Sequence, residues 1–304
     1  MRTPMPMRAL MRMRTPMLIR RELWEHRALW AAPVAVSVLI LLGTAFGRAH
    51  VPTHTILPQQ LSRAIFAVVV LGFGIAQYVT MSVVVWFYAT DCLYGERKDR
   101  SILFWKSLPV SDAQTVLAKA AVAIVVAPLI AFVVTAVTSV LAFGILSIRD
   151  WSGQVLMHLW DTRTWFQVEG DSLLALVVGT LWYAPITAYL LLLSAWARRN
   201  VQLWVILPPL AALLVERLTF GTHYLTTVLL YRLGGGWESS LVLAIQRLFT
   251  GAMGPYGSVS TPPPQLFERS PLHIFTNIDL WVGLAVAAIF LFGAVRIRRY
   301  RDDT

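Results

Sequence analysis

Six stretches of the chain are apolar for long enough to cross a bilayer as helices, with short polar or charged segments between them. In order they are Leu29–Phe46, Ile65–Ala89, Ala118–Ile148, Leu173–Ala197, Val201–Leu218 and Leu280–Ile297. About 20 mostly apolar residues span the hydrocarbon core as a helix. The third run is longer and must tilt or extend beyond the core. A closed barrel would also satisfy backbone groups in lipid, but its mark is a series of short alternating segments. These runs are continuous and rich in Ala, Leu and Val. The pattern predicts an all-α integral membrane protein with six transmembrane helices.

Composition agrees. The 304 residues are 57% hydrophobic and only 14% charged, against roughly 25% charged in an average soluble chain. The basic residues are placed unevenly. Arg2, Arg8, Arg12, Arg14, Arg20, Arg21 and Arg27 precede the first span; Arg97, Lys98, Arg100, Lys106 and Lys119 lie in or beside the second loop. Arg198 and Arg199 fill the fourth loop, and Arg296, Arg298, Arg299 and Arg301 border the end of the last span. Six spans put all of these on one face, which carries the whole formal charge of +10, while the opposite face sums to zero. By the positive-inside rule that face is cytoplasmic and holds both termini. Residues 1–28 then form a basic cytoplasmic segment with an interfacial helix, 29–297 the six-span domain, and 298–304 a cytoplasmic tail. The localisation expected is multi-pass, in the inner (cytoplasmic) cell membrane.

Short juxtamembrane clusters of this kind serve topology and anionic lipid, so the basic balance does not argue for nucleic acid. The N-terminal "MRTPMPMRALMRMRTPM" leads into a full-length span without a small-residue cleavage site, unlike a cleaved signal peptide. Its methionines make Met13 and Met17 alternative starts. The single Cys92 leaves no disulfide to form.

Motifs for soluble chemistry are missing. No lysine follows a glycine, which excludes a phosphate-binding GxxxxGK[ST] loop, and neither HExxH nor GxSxG occurs. His50 and His54 have ligand spacing, but Pro52 between them argues for a solvated loop; His158 and Asp161 are as weak a pair. No catalytic residue and no metal ligand is assigned.

Polar residues within spans carry more weight, because they are costly there. Glu216, near the outer end of the fifth span and followed by Arg217, either snorkels to the interface or lines a cavity and pairs with another helix. Gln77, Tyr78 and Thr80 in the second span, with Trp182 and Tyr183 in the fourth, are candidates for a substrate pathway or for ordinary helix–helix hydrogen bonding. Prolines 128, 185, 208 and 209 are expected to break or kink three spans. Between spans, the outer loop 149–172 carries Trp151, Trp160 and Trp165, suited to the membrane surface. The outer loop 219–279 contains "HYLTTVLLYRL" and "ESSLVLAIQRLF", too short to cross independently. They read as interfacial or re-entrant helices joined through "GGG" and followed by a stiff "STPPPQ" linker.

The cytoplasmic loop 91–117 breaks the apolar pattern most sharply: "ERKDRSILFWKSLPVSD". A helix from about Glu96 leaves Ile102, Leu103, Trp105 and Leu108 exposed, Pro109 stops it, and Ser111 caps the next helix with Asp112 in its first turn. An apolar face rimmed by Arg and Trp suits protein docking; the alternative is a helix lying flat on lipid.

The segment "YGERKDRSILFWKSLPVSDAQTVLAK", Tyr94 to Lys119, resembles the first cytoplasmic loop of type-2 ABC transporter permeases. The similarity rests on Glu96 and Arg97, then on Leu108, Pro109, Val110 and Ser111, and on a helix ending in Lys119. Arg100 stands where that family usually has glycine, and "ILFW" replaces a more acidic stretch. The N-terminal "LIRRELWEHRALW", the loop "SAWARRN" and the six-span pattern are also similar. This resemblance implies a permease subunit, not itself an enzyme, paired with a second copy or a homologous permease on two copies of a separate ABC ATP-binding subunit. ATP and Mg would be bound by that partner, and no cofactor by this chain. Glu96, Arg97, Asp99, Arg100, Leu103, Trp105 and Leu108 would form the ATPase-coupling helix. The cargo implied is amphipathic or hydrophobic: a drug, a peptide or a lipid-like molecule. A non-transporting scaffold or sensor and an ion-coupled secondary transporter stand as alternatives.

Overall fold

A computed structural model describes residues 7–47, 59–99, 110–149, 160, 162–238 and 275–300, and every described element is helical. Helix α1 is Met7–Glu25, α2 Ala28–Phe46 and α3 Gln59–Asp91, followed by the short α4, Tyr94–Lys98. Helix α5, Asp112–Ala121, continues through a π turn at Val122–Val126 into α6, Ala127–Arg149. Then come α7, Thr162–Trp196; α8, Val201–Val215, with a π turn at Glu216–Phe220; α9, Tyr224–Glu238; and α10, Ile278–Tyr300.

Six helical segments are long and apolar enough to cross a membrane: Ala28–Phe46, Ile65–Lys98, Asp112–Arg149, Thr162–Trp196, Val201–Phe220 and Ile278–Tyr300. They correspond one to one with the apolar runs of the sequence. Their outward faces are apolar, as the exposed Val38, Leu39 and Leu42 of α2 and Leu203, Leu207 and Leu210 of α8 show. In water such faces would be untenable, and in lipid they are the expected exterior. Where two of these helices meet, the inner face is rich in small residues: Ala127, Ala131 and Ala142 of α6 and Ala188 of α7 are fully buried. Small side chains let backbones approach where lipid offers no hydrophobic drive to pack. Helix α7 lies along α10 for most of its length and also packs on α3, while α2 lies against α6 and α3.

Several helix ends differ from the hydropathy reading, always by extension. Helix α7 begins at Thr162, eleven residues before its apolar run starts at Leu173, so the end of the expected outer loop is helical. Trp160 packs edge-on against Phe66, 5.6 Å between centroids, and stacks with Trp165. The "GGG" at 234–236 is not a break between two helices, because α9 runs through it to Glu238. At 15 residues, α9 is too short to span. "STPPPQ" and most of "ESSLVLAIQRLF" lie outside the described residues, as do Trp151, His50, His54 and His158.

The prolines do not end their helices. Pro185 sits inside α7, and Pro208 and Pro209 inside α8. Pro128 follows the π turn, which is where its missing N–H leaves the preceding turn short of a donor. The start of α5 follows the sequence closely: Ser111 is the N-cap, its hydroxyl accepting from Gln114 N at 3.2 Å. The Gln114 side chain accepts in return from Ser111 N, completing a capping box.

Candidate functional site: an ion network at the feet of the charged loop

Helix α4 leads into the segment around "ILFW" and α5 leads out of it. Both feet are anchored by charges that the fold buries. Glu96 of α4 is 7% exposed, Lys119 of α5 1%, Glu22 of α1 2% and Arg298 of α10 5%. Glu96 Oε2 accepts from Arg298 Nη1 at 2.6 Å, and its Oε1 lies 3.2 Å from Lys119 Nζ and 3.4 Å from Arg21 Nη2. Lys119 Nζ also donates to both Glu22 oxygens, at 2.8 and 2.9 Å. The Tyr88 hydroxyl of α3 donates to Glu22 Oε2 at 3.0 Å. Arg298 Nε donates to Asp112 Oδ1 at 3.2 Å, so one guanidinium holds a carboxylate at each foot of the loop.

Three carboxylates (Glu22, Glu96, Asp112) thus face three cations (Arg21, Lys119, Arg298) drawn from four helices. Burying any one of these charges alone would cost several kcal/mol, about 3–5 when a partner is deleted. The set is tolerable only because the charges meet. Glu22, Glu25 and His26 bring three potential ligand atoms within 4.8 Å of one another. Both Glu22 oxygens already accept from the Lys119 ammonium. Burial holds the His26 imidazole pKa below its ordinary value against the pull of Glu22.

Around this network the backbone is tied as well. Arg97 Nη2 donates to the Ser194 and Ala197 carbonyls at the end of α7, at 2.6 and 2.8 Å. Ser194 Oγ accepts from the backbone N–H groups of Leu93 and Tyr94, both at 3.1 Å. Gln202 of α8 bridges Trp86 and Thr90 of α3. The end of α7 is therefore fastened to the turn from which α4 departs, and the start of α8 to the end of α3. Asp99 is exposed beyond it, and Arg100, Leu103, Trp105 and Leu108 lie outside the described residues.

The residues named for a pathway separate into different places. Gln77 is wholly buried and donates to Ser37 Oγ at 2.7 Å and to the Pro33 carbonyl at 3.2 Å, joining α3 to α2. Tyr78 packs, partly buried, against the main apolar cluster, with its ring beside Gly74. Thr80 donates back to the Ala76 carbonyl of its own helix. Trp182 and Tyr183 hold α9: Trp182 Nε1 donates to Arg232 O and Tyr183 Oη to Leu233 O, each at 2.9 Å. The Arg232 guanidinium also lies 4.3 Å over the Trp182 ring. Among the described residues Glu216 forms no ion pair with Lys or Arg. Its carboxylate accepts from Leu225 N at 2.9 Å and from the Thr222 hydroxyl, so it caps the start of α9.

Two groups of residues escaped the sequence reading. Lys119 and Arg298 register there only as topology charges at the ends of apolar runs, with no sign that they face inward. Glu169 falls in the expected outer loop, whereas it is a buried carboxylate of α7, 6% exposed, against Ser139 of α6.

Comparisons with protein-family models, with curated proteins and with solved structures return no match.

Lys119 is the residue on which the network turns. Replacing it with methionine should leave Glu22 and Glu96 facing each other and destabilise the fold by about 3–5 kcal/mol. Thermal unfolding in detergent should show this as a clear fall in midpoint, partly restored in Glu22→Gln/Lys119→Met. An unchanged midpoint in the single variant would mean the ion pairs are not formed.

Proposed function

We propose that the chain is the membrane permease subunit of an ABC exporter, driven by a separate ATP-binding subunit. One of a pair, it would form the pathway for an amphipathic or hydrophobic substrate. The observation that carries this reading is the Arg298 clamp on Glu96 and Asp112. A loop that receives force from an ATPase must not hinge at its feet, or the stroke is absorbed before it reaches the membrane. Here the entry foot is fixed to α7 through Arg97 and Ser194, and the exit foot to α1 and α10 through Lys119 and Asp112.

In this account Ile102, Leu103, Trp105 and Leu108 dock in a groove of the ATPase, while Glu96 and Arg97 position the loop rather than touch the partner. The arginine-rich face is cytoplasmic and holds both termini. Helix α9, capped by Glu216 and held by Trp182 and Tyr183, re-enters or lies at the outer interface. A second reading, ion-coupled secondary transport, gains one observation: Glu169 is a buried acid on a helix long and apolar enough to cross a membrane, Thr162–Trp196. Transport that collapses with an ionophore and persists without ATP would favour it.

Leu103→Asp/Trp105→Asp tests the docking. Loss of an interface anchor costs about 2–4 kcal/mol, so pull-down of the ATP-binding subunit should fail while membrane insertion is normal. Intact assembly with normal substrate-coupled ATP hydrolysis would refute the coupling role. Topology is checked by cysteines: one in Pro262–Gln265 should react with an impermeant thiol reagent from outside, and one at Arg198 should not. Labelling of both from the same side would overturn the arrangement.

A further inference from the structure

Helix α8 is packed at one end only. Its start is fixed: Val201 and Val205 are buried, Gln202 bonds to Trp86 and Thr90 of α3, and the Trp204 ring meets Trp196 edge-on at 4.7 Å. From residue 206 to 215 no side chain is buried, and Ile206, Leu210 and Leu214 are each about half exposed. The packing stops where the backbone is weakest. Pro208 and Pro209 remove two consecutive N–H groups, so the Trp204 and Val205 carbonyls lose their helical donors. The Tyr189 hydroxyl of α7 donates to the Val205 carbonyl at 3.3 Å and replaces one of the two. Missing helical bonds at the edge of the packed region make a hinge.

Beyond the hinge the chain is tied to itself. Glu216, at the end of α8, accepts from Leu225 N of α9 and from the Thr222 hydroxyl, each at 2.9 Å, and Gly221 turns the corner with φ of 63°. Helix α9 is mostly exposed as well, and among the described residues it is hydrogen-bonded to α7 and α10 through one turn, residues 231–233. Trp182 and Tyr183 donate to the Arg232 and Leu233 carbonyls. Arg232 Nη1 donates to the Asp279 carbonyl at 3.1 Å, and the Tyr231 hydroxyl to Asp279 Oδ2 at 3.3 Å. The guanidinium is seated between the Trp182 ring and Gly283 of α10, where a Cβ would collide with it. Its Nη2 is buried without a hydrogen-bond partner, so the closed contact carries a cost that release removes.

We propose that residues 206–238 form one arm, hinged at residues 204–209 and latched by Arg232, that swings away from α7 and α10. Gly283 is the socket of the latch. The apolar faces of α8 already lie toward lipid, so the swing exchanges one lipid-facing position for another. The device goes beyond the exporter reading and requires neither ATP nor a partner subunit.

Double electron–electron resonance on the full-length chain in nanodiscs tests it, with buried Cys92 replaced by alanine and nitroxides on introduced cysteines. One pair, Leu230→Cys and Val282→Cys, spans the latch; another, Leu210→Cys and Leu230→Cys, lies within the arm. All three sites are exposed. With the latch intact, each pair should give one narrow distance. Arg232→Ala should shift most of the latch-spanning population to longer distances and leave the pair within the arm unchanged. Gly283→Ala, which alters no residue of the arm, should do the same. A latch-spanning distance that does not change in Arg232→Ala would overturn the proposal. Lengthening of both pairs together would also overturn it, because α9 would then be leaving α8 rather than moving with it. Displacement by Arg232→Ala but not by Gly283→Ala would refute the socket. If Gly283→Ala fails to fold, Arg232→Ala alone decides.

Discussion

One guanidinium sets the geometry of the charged pole. Arg298, near the end of the last helix, reaches Glu96 on one side and Asp112 on the other, and these two carboxylates bracket the segment around "ILFW". The last helix of the chain therefore closes a gap between its second and third spans. A buried guanidinium is tolerated only with its hydrogen bonds satisfied, so the positions of α4, α5 and α10 are mutually determined. Lys119 extends the same constraint to α1 through Glu22, which explains why a helix preceding the first span is part of the packed structure.

Two polar layers share the same helices. At the charged pole, Ser194 of α7 holds the turn after α3; toward the other end of α7, Glu169 accepts from Ser139 of α6. The 25 residues between Glu169 and Ser194 cover about 37 Å of helix. Between the layers the contacts are small and apolar, Ala188 and Leu191 among them. Such surfaces slide or tilt at low cost, whereas the layers themselves resist distortion because each bond lost strands a buried polar atom.

Much of the architecture was legible in the sequence because its causes are local or periodic. A run of about 20 apolar residues has one stable outcome in lipid, and all six were found. The Ser111 cap was readable because a hydroxyl one residue before a helix has a neighbouring amide to accept. The misplaced boundaries share a cause too: Thr162–Ser172 and Asp112–Leu117 are polar, and hydropathy treats polarity as loop although the helices simply continue past the core. The sites were less legible. Lys119, Arg298 and Glu169 look like flanking charges until the residues that face them, roughly 100 to 200 positions away in two of the cases, are brought alongside. Glu216 was conspicuous in sequence, but its partner is the backbone of α9, and no side-chain pattern announces that.

The account stands on the clamp joining both feet of the loop, and amide hydrogen exchange of the protein in nanodiscs tests it most directly. In Arg298→Gln the amides of Tyr94–Asp99 and those of Asp112–Lys119 should lose protection together, while the middle of α6 stays protected. Unchanged exchange at either foot, or loosening confined to the end of α10, would contradict it.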